Sequence, residues 1–339
     1  MNYEILCLLI AIDASSLSTR RRKTMPILIL LMMLTAPVAG DANEDAPLLS
    51  SDEVTMAIDT ATGHIVLPAW IEGEGPYWFV LDTGNQNTTI FAYVAQDAGI
   101  ETAPLGEMGG AGSGSLTVER ASDVRVSLGD TGDLLSFTDA MVTVLPDAAE
   151  LPAFNGKRVA GFLGASLIER YMTGIDYGSG KLILTDRDTY AMPVDAKVMQ
   201  IKVAMGFPYF EGEVTPMLMG GATEPVIGNF LLDLGATYGV EIDFEQADAL
   251  GLVGADDPDQ QVAGQGMGID GVMFDLRTAP LAKANLGGLE LDETSVLFMT
   301  TPGGGPPIED LVGNVGSGLF TGDRVTLDYK GGRLIWEDR

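Results

Sequence analysis

From Val54 onward the chain alternates short apolar runs, rich in Val, Ile, Leu and Phe, with clusters of Gly, Pro and Asp. Runs of this length bounded by turn formers describe β-strands joined by tight turns. Helical periodicity is confined to two stretches, Phe91 to Gly99 and Phe244 to Gly251, each a short helix closed by a glycine in the C-cap region. The pattern predicts an all-β architecture. Composition agrees: 46% apolar and 20% charged residues describe a folded chain, so the 43 glycines point to turns rather than disorder.

The two helical stretches belong to an internal duplication with a period near 152 residues. Ala98-Gly99 recurs as Leu250-Gly251. Gly161-Phe162-Leu163-Gly164, continuing to Gly174-Ile175-Asp176-Tyr177, recurs as Gly313-Asn314-Val315-Gly316, continuing to Thr326-Leu327-Asp328-Tyr329. Both copies then run into Gly-Lys-Leu or Gly-Arg-Leu, at 180–182 and 332–334. Between these landmarks Phe79-Val80-Leu81-Asp82-Thr83-Gly84 corresponds to Phe230-Leu231-Leu232-Asp233-Leu234-Gly235, at an offset of 151. A repeat this long is no solenoid unit. It predicts two homologous all-β domains, residues 54–190 and 195–339, able to pack about a pseudo-two-fold axis. Whatever each lobe places on that axis faces its counterpart.

The first 53 residues change this picture only at the margin. Arg20, Arg21, Arg22 and Lys23 precede an apolar run from Met25 to Leu34 and then small residues at Ala36, Ala39 and Gly40. That order predicts an export signal over residues 1–40, too short in its apolar part for a stable membrane span. Residues 41–53 read as an acidic linker. The only cysteine, Cys7, leaves with the signal, so the mature chain has neither disulfide nor thiol nucleophile. Periplasmic or secreted localisation is expected. A net charge of −29 disfavours nucleic acid as a partner, because binding to phosphates depends on Lys and Arg.

Three apolar residues followed by Asp-Thr-Gly describe a buried strand ending in a tight turn, with the carboxylate at its last position. The tripeptide alone is weak; its near-copy at the equivalent place of a duplicated half is much stronger. Two such loops bring the carboxylates of Asp82 and Asp233 to one cleft floor. Like charges a few ångströms apart cannot both ionise, so the pair keeps one proton, one member acting as base on a water and the other as acid on a substrate carbonyl. No cofactor or metal is required, and no cluster has metal-ligand spacing containing His or Cys.

With these motifs the chain resembles the aspartic proteases of the pepsin and retropepsin kind, most closely the duplicated bacterial retropepsin-like members, over nearly all of residues 54–339. The resemblance implies two homologous β-barrel lobes with an active-site cleft between them, Asp82 and Asp233 as catalytic residues, and Thr83, Gly84 and Gly235 as supporting loop residues. It also implies an apolar-apolar-Gly segment beside each loop, which the first lobe supplies as Phe162-Leu163-Gly164. A β-hairpin flap over the cleft is expected near Gly109 to Ser115 and Gly264 to Gly271. A peptide or protein substrate and a self-sufficient monomer follow from the same likeness.

The second lobe departs from that pattern twice. Leu234 replaces the Thr or Ser whose hydroxyl bonds across the axis, and Asn314 breaks the apolar pair before Gly316. Three functional readings therefore stand: an aspartic endopeptidase, a catalytically impaired peptide-binding protein of the same fold, and an acidic envelope protein that binds through its lobe surfaces. Other chemistry is poorly supplied. His64, the only histidine, is expected at a surface or edge position, Met217 and Met219 read as packing residues, and Gly180-Lys181 is followed by Leu182, so the phosphate-loop signature fails.

Overall fold

In the computed structural model, which describes residue 49 and residues 51–109, 114–147, 153–267, 272–291 and 295–338, strands dominate and helices are few and short. The export signal over residues 1–40 and most of the linker fall outside the described residues. The first strand, Glu53–Ala57, begins one residue before the predicted start.

The duplication is visible in how the strands pair. Met172–Asp176 runs antiparallel to Arg324–Asp328, with Gly174 opposite Thr326. These two residues are equivalent in the repeat, so the pseudo-two-fold axis passes through their pair. Around it lies a six-stranded sheet made from both halves, in the order Glu53–Ala57, Lys181–Thr185, Met172–Asp176, Arg324–Asp328, Arg333–Glu337, Lys197–Gln200. A nine-stranded sheet built from the first half and a ten-stranded sheet built from the second complete the fold.

Each half contains the same parallel pair. In the first, Phe162 and Leu163 sit beside Val80 and Leu81; in the second, Val315 and Gly316 sit beside Leu232 and Asp233. These strands are apolar because neighbours cover both of their faces. Leu81, Leu163 and Ile175 of the first half share one hydrophobic core with Phe230, Leu232, Leu234, Val315 and Leu327 of the second. At roughly 1.5–3 kcal/mol for each large apolar side chain removed from water, this shared core holds the two halves together.

The helices fall where periodicity placed them, at Ala92–Asp97 and Phe244–Ala249. Gly99 and Gly251 follow at φ +66° and +74°, a left-handed conformation that favours glycine. Two further helical turns, Ala165–Ile168 and the 3-10 turn Ser317–Phe320, directly follow the glycines of the two flanking strands. Both predicted flap regions are hairpins: Gly109 pairs with Ser115, and Met267 with Met273, their tips lying outside the described residues.

Candidate active site

Asp82 follows the strand Glu74–Leu81, and Asp233 closes the strand Val226–Asp233. Both are at most 1% exposed. Each carboxyl is held by the loop that follows it: the Gly84 amide donates to Asp82 Oδ1 at 2.8 Å, and the Gly235 amide to Asp233 Oδ1 at 3.0 Å. Across the axis, each loop glycine lies against the other loop's carboxyl. A Cβ on Gly84 would sit 3.0 Å from Asp233 Oδ1, and one on Gly235 would collide with the Asp82 carboxyl. The glycines are required for this close approach.

Apart from the contact between the two carboxyls themselves, the remaining oxygens, Asp82 Oδ2 and Asp233 Oδ2, are buried and bonded to no side chain or backbone group among the described residues. Burial raises Asp82, against the pull of its hydrogen bond with Asp233 and of the Gly84 amide. Burial and then the charge of Asp82 push Asp233 well above the ordinary carboxylate range, outweighing the amides of Gly235 and Ala236. With Asp82 raised to about 6 and Asp233 higher still, the buried pair holds one proton between two carboxyls from about pH 6 upward.

Thr83 joins the loops from one side. Its hydroxyl donates to the Leu232 carbonyl at 2.5 Å and accepts from the Leu234 amide at 2.8 Å. Leu234 returns no side-chain bond; it is fully buried in the shared core instead. Further ties lie nearby. Ser317 donates to the Gly63 carbonyl at 3.0 Å, and Gln86 to the Met205 carbonyl at 2.7 Å, each bond running from one half to the other. The first hairpin contributes Leu105 and Met108 to a small pocket with Asn85, Gln86 and Asn87, immediately after the Asp82 loop.

Glu241 is a site residue that sequence reasoning passed over. It is fully buried and receives a hydrogen bond from Asn314 Nδ2 at 2.9 Å. Burial raises its pKa to about 7, with Tyr238 and Asn314 pulling it down and the charge of Asp233 adding to the rise. The run Val240-Glu241-Ile242-Asp243 reads as an amphipathic strand with solvated acids. The missed signal was the pairing register: Asn314 and Glu241 stand where the first lobe has Phe162 and Thr89.

Two expectations need correction. His64 is 3% exposed and stacks on Phe154, with ring centroids 4.0 Å apart, because the ring covers apolar surface instead of meeting water. Met219 is not packed: it is 70% exposed at a hairpin turn, where φ +51° ends the strand alternation. Among the described residues no group of His, Cys, Asp and Glu has the geometry to hold a metal ion.

The aspartyl protease family model matches residues 66–167, which include Asp82, Thr83 and Gly84. The resemblance to pepsin- and retropepsin-like aspartic proteases therefore holds in sequence for the first lobe. Solved structures similar to the chain include an aspartic proteinase from Irpex lacteus, at 11% identity, 84% of this chain and 96% of that one, with a TM-score of 0.46. Basic 7S globulin from soybean is similar at 10% identity, 86% and 95% coverage and a TM-score of 0.46. Conglutin gamma, a basic 7S globulin from lupine seeds, is similar at 10% identity, 85% and 95% coverage and a TM-score of 0.49. No curated protein matches the sequence.

Proposed function

We propose that the protein is an exported aspartic endopeptidase of the duplicated retropepsin-like type, with Asp82 and Asp233 as its catalytic pair. The observation that carries this reading is the meeting of two buried carboxyls from equivalent strand ends, each with one oxygen left for a reacting group. In the pair's singly protonated state the ionised carboxylate takes a proton from a water, whose oxygen attacks the peptide carbonyl carbon, while the other carboxyl protonates the carbonyl oxygen. The tetrahedral diol then collapses. One hydroxyl returns its proton to the pair, the amine nitrogen receives a proton, and the C–N bond breaks. Nothing beyond water and peptide is consumed. Both carboxyls come from one chain, so a monomer suffices.

Export to the periplasm or beyond rests on the basic, apolar and small-residue order of residues 20–40. The one-sided Thr83 contact favours a second reading, a peptide-binding protein with slow or no chemistry. Incubating the mature protein with a mixed peptide library and reading products by mass spectrometry separates the two: new termini at consistent bonds support the endopeptidase, and retention of intact peptides supports the binder.

A further inference from the structure

The two lobes differ at one pair of matched positions on the strands that flank the aspartate loops. In the first lobe Phe162 pairs with Thr89, and Phe91 and Phe162, both fully buried, close this corner together with Val80, Met108 and Leu145. The second lobe repeats the pairing with Asn314 opposite Glu241, and Phe91 gives way to Asp243, just before the helix Phe244–Ala249. Instead of an apolar plug there is a cavity of about 130 Å³, bounded in part by Glu241, Asp243, Asn314, Met299, Leu311 and Gly304. That is room for several heavy atoms, well beyond a single bridging water.

Polar atoms of two residues that line this cavity are incompletely satisfied. Asn314 spends one amide hydrogen on Glu241 Oε2, and the buried Tyr238 hydroxyl, with one hydrogen to give, is the other donor beside Glu241 Oε1 and Asn314 Oδ1, too few for both buried acceptors. Glu245 adds a third carboxyl to the wall, and among the described residues Glu241, Asp243 and Glu245 form no ion pair. Burying unpaired acceptors and carboxyls is costly, and the group that repays it must bring hydrogens and positive charge.

The register places the cavity beside the catalytic pair. Leu231 is opposite Asn314 and Asp233 opposite Gly316, and alternate residues of a strand share a face. Asn314 and its partner Glu241 thus lie on the same face as Asp233, one side-chain step, about 7 Å, along the strand. An extended peptide spaces side chains on one face by the same distance.

We propose that this cavity is the recognition pocket for a basic side chain, lysine or arginine, of a peptide bound in the cleft. Glu241 is the ion-pairing group, Asn314 holds that carboxylate and accepts a second hydrogen bond, and Asp243 adds charge at the rim. Met299 and Leu311 flank the aliphatic stem of the incoming side chain. Burial keeps Glu241 largely protonated below about pH 7 in the free protein, and an incoming cation favours its ionised form. The proposal rests on the cleft being a peptide site and specifies which peptides it takes.

The test uses short apolar peptides carrying lysine at one scanned position, each with norleucine and glutamine counterparts. Binding by fluorescence anisotropy and hydrolysis by mass spectrometry are measured on the same samples of mature wild type, Glu241→Gln and Asp243→Asn. At one position lysine should bind wild type at least about 30-fold more tightly than norleucine or glutamine, the factor that corresponds to about 2 kcal/mol. Glu241→Gln, which preserves volume and the Asn314 bond, should abolish that preference, and Asp243→Asn should weaken it. A melting curve checks folding, and if Glu241→Gln does not fold, Asp243→Asn decides. Lysine preference without hydrolysis upholds the pocket and removes the protease reading. Hydrolysis without lysine preference, a glutamine preference, or a preference indifferent to both variants overturns the pocket and leaves the protease standing. Absence of both binding and hydrolysis overturns both.

Discussion

The Thr83 hydroxyl accepts a hydrogen bond from the Leu234 amide at 2.8 Å, and Leu234, a fully buried apolar side chain, returns none. The two loops are therefore joined by one hydroxyl serving two bonds, where a symmetric arrangement would use two hydroxyls. The Thr83→Val variant keeps the shape and leaves both the Leu232 carbonyl and the Leu234 amide unpaired in the interior. It should lower stability by about 2–4 kcal/mol and reduce hydrolysis, read by denaturant melts and peptide turnover.

Leu234→Thr tests the other side of the same contact. The gain from one restored hydrogen bond is about 1 kcal/mol, while removing buried methylenes from the shared core costs about 0.8 kcal/mol each plus a cavity. Packing outweighs the bond, so stability should fall by about 1–2 kcal/mol, less than for Thr83→Val. A stabilised Leu234→Thr would show that the loops, not the core, set this residue.

Gly235→Ala places a methyl group against the Asp82 carboxyl. Relief requires the loops to separate, at about 1–3 kcal/mol and with loss of the shared proton. Hydrolysis should drop by at least roughly 100-fold, since misplacement of about 1 Å is enough for that.

Stability should fall as pH rises through the weakly acidic range. Glu241 moves from an ordinary 4.5 to about 7 on folding, and Asp243 from 3.8 to about 7 through burial and the charges of Glu241 and Glu245. Tyr238, Asn314 and Asp233 also face Glu241. With the folded pKa above the unfolded one, the native state binds more protons between these values, so the stability is fully present below 4.5 for Glu241 and 3.8 for Asp243 and is lost as pH rises to about 7. For Glu241 the span is on the order of 3 kcal/mol. Asp59, lowered to about 2 chiefly by its hydrogen bond to Lys157, works the other way, but only below the range considered. Melting temperature should fall by roughly 5 °C or more between pH 4.5 and 7, and by less in Glu241→Gln.

The raised pKa values of Asp82 and Asp233 also set the rate profile. With Asp82 raised to about 6 and Asp233 higher still, the singly protonated pair forms as pH rises through about 6, so hydrolysis should be greatest near neutral pH and decline on acidification below that. A rate still climbing below about pH 3 would require a carboxylate below its reference value, contrary to the burial of both groups.

Much of the fold could be read in the chain because the duplication is almost gapless. Glycine-closed helices, Asp-x-Gly loops and flanking strands recur at nearly one offset, and the structure sets Gly174 against its own counterpart Thr326. The loop glycines and Thr83 were legible because close approach and a hydroxyl have few substitutes. Glu241 was not, since an acid in an alternating Val-Glu-Ile-Asp run is normally solvated; only the cross-strand partner Asn314 makes it internal. His64 was misplaced for a related reason: nothing local in the sequence announces that Phe154 lies over its ring.

The central claim is that Asp82 and Asp233 act as one unit, and hydrolysis of a single identified peptide by Asp82→Asn, Asp233→Asn and the double variant, with folding checked on the same samples, tests it most directly. If the pair shares one proton and one water, either single change should remove nearly all turnover, and the double variant should lose little more, because acid and base roles belong to the pair. Full activity in either single variant, or losses that multiply in the double, would contradict it.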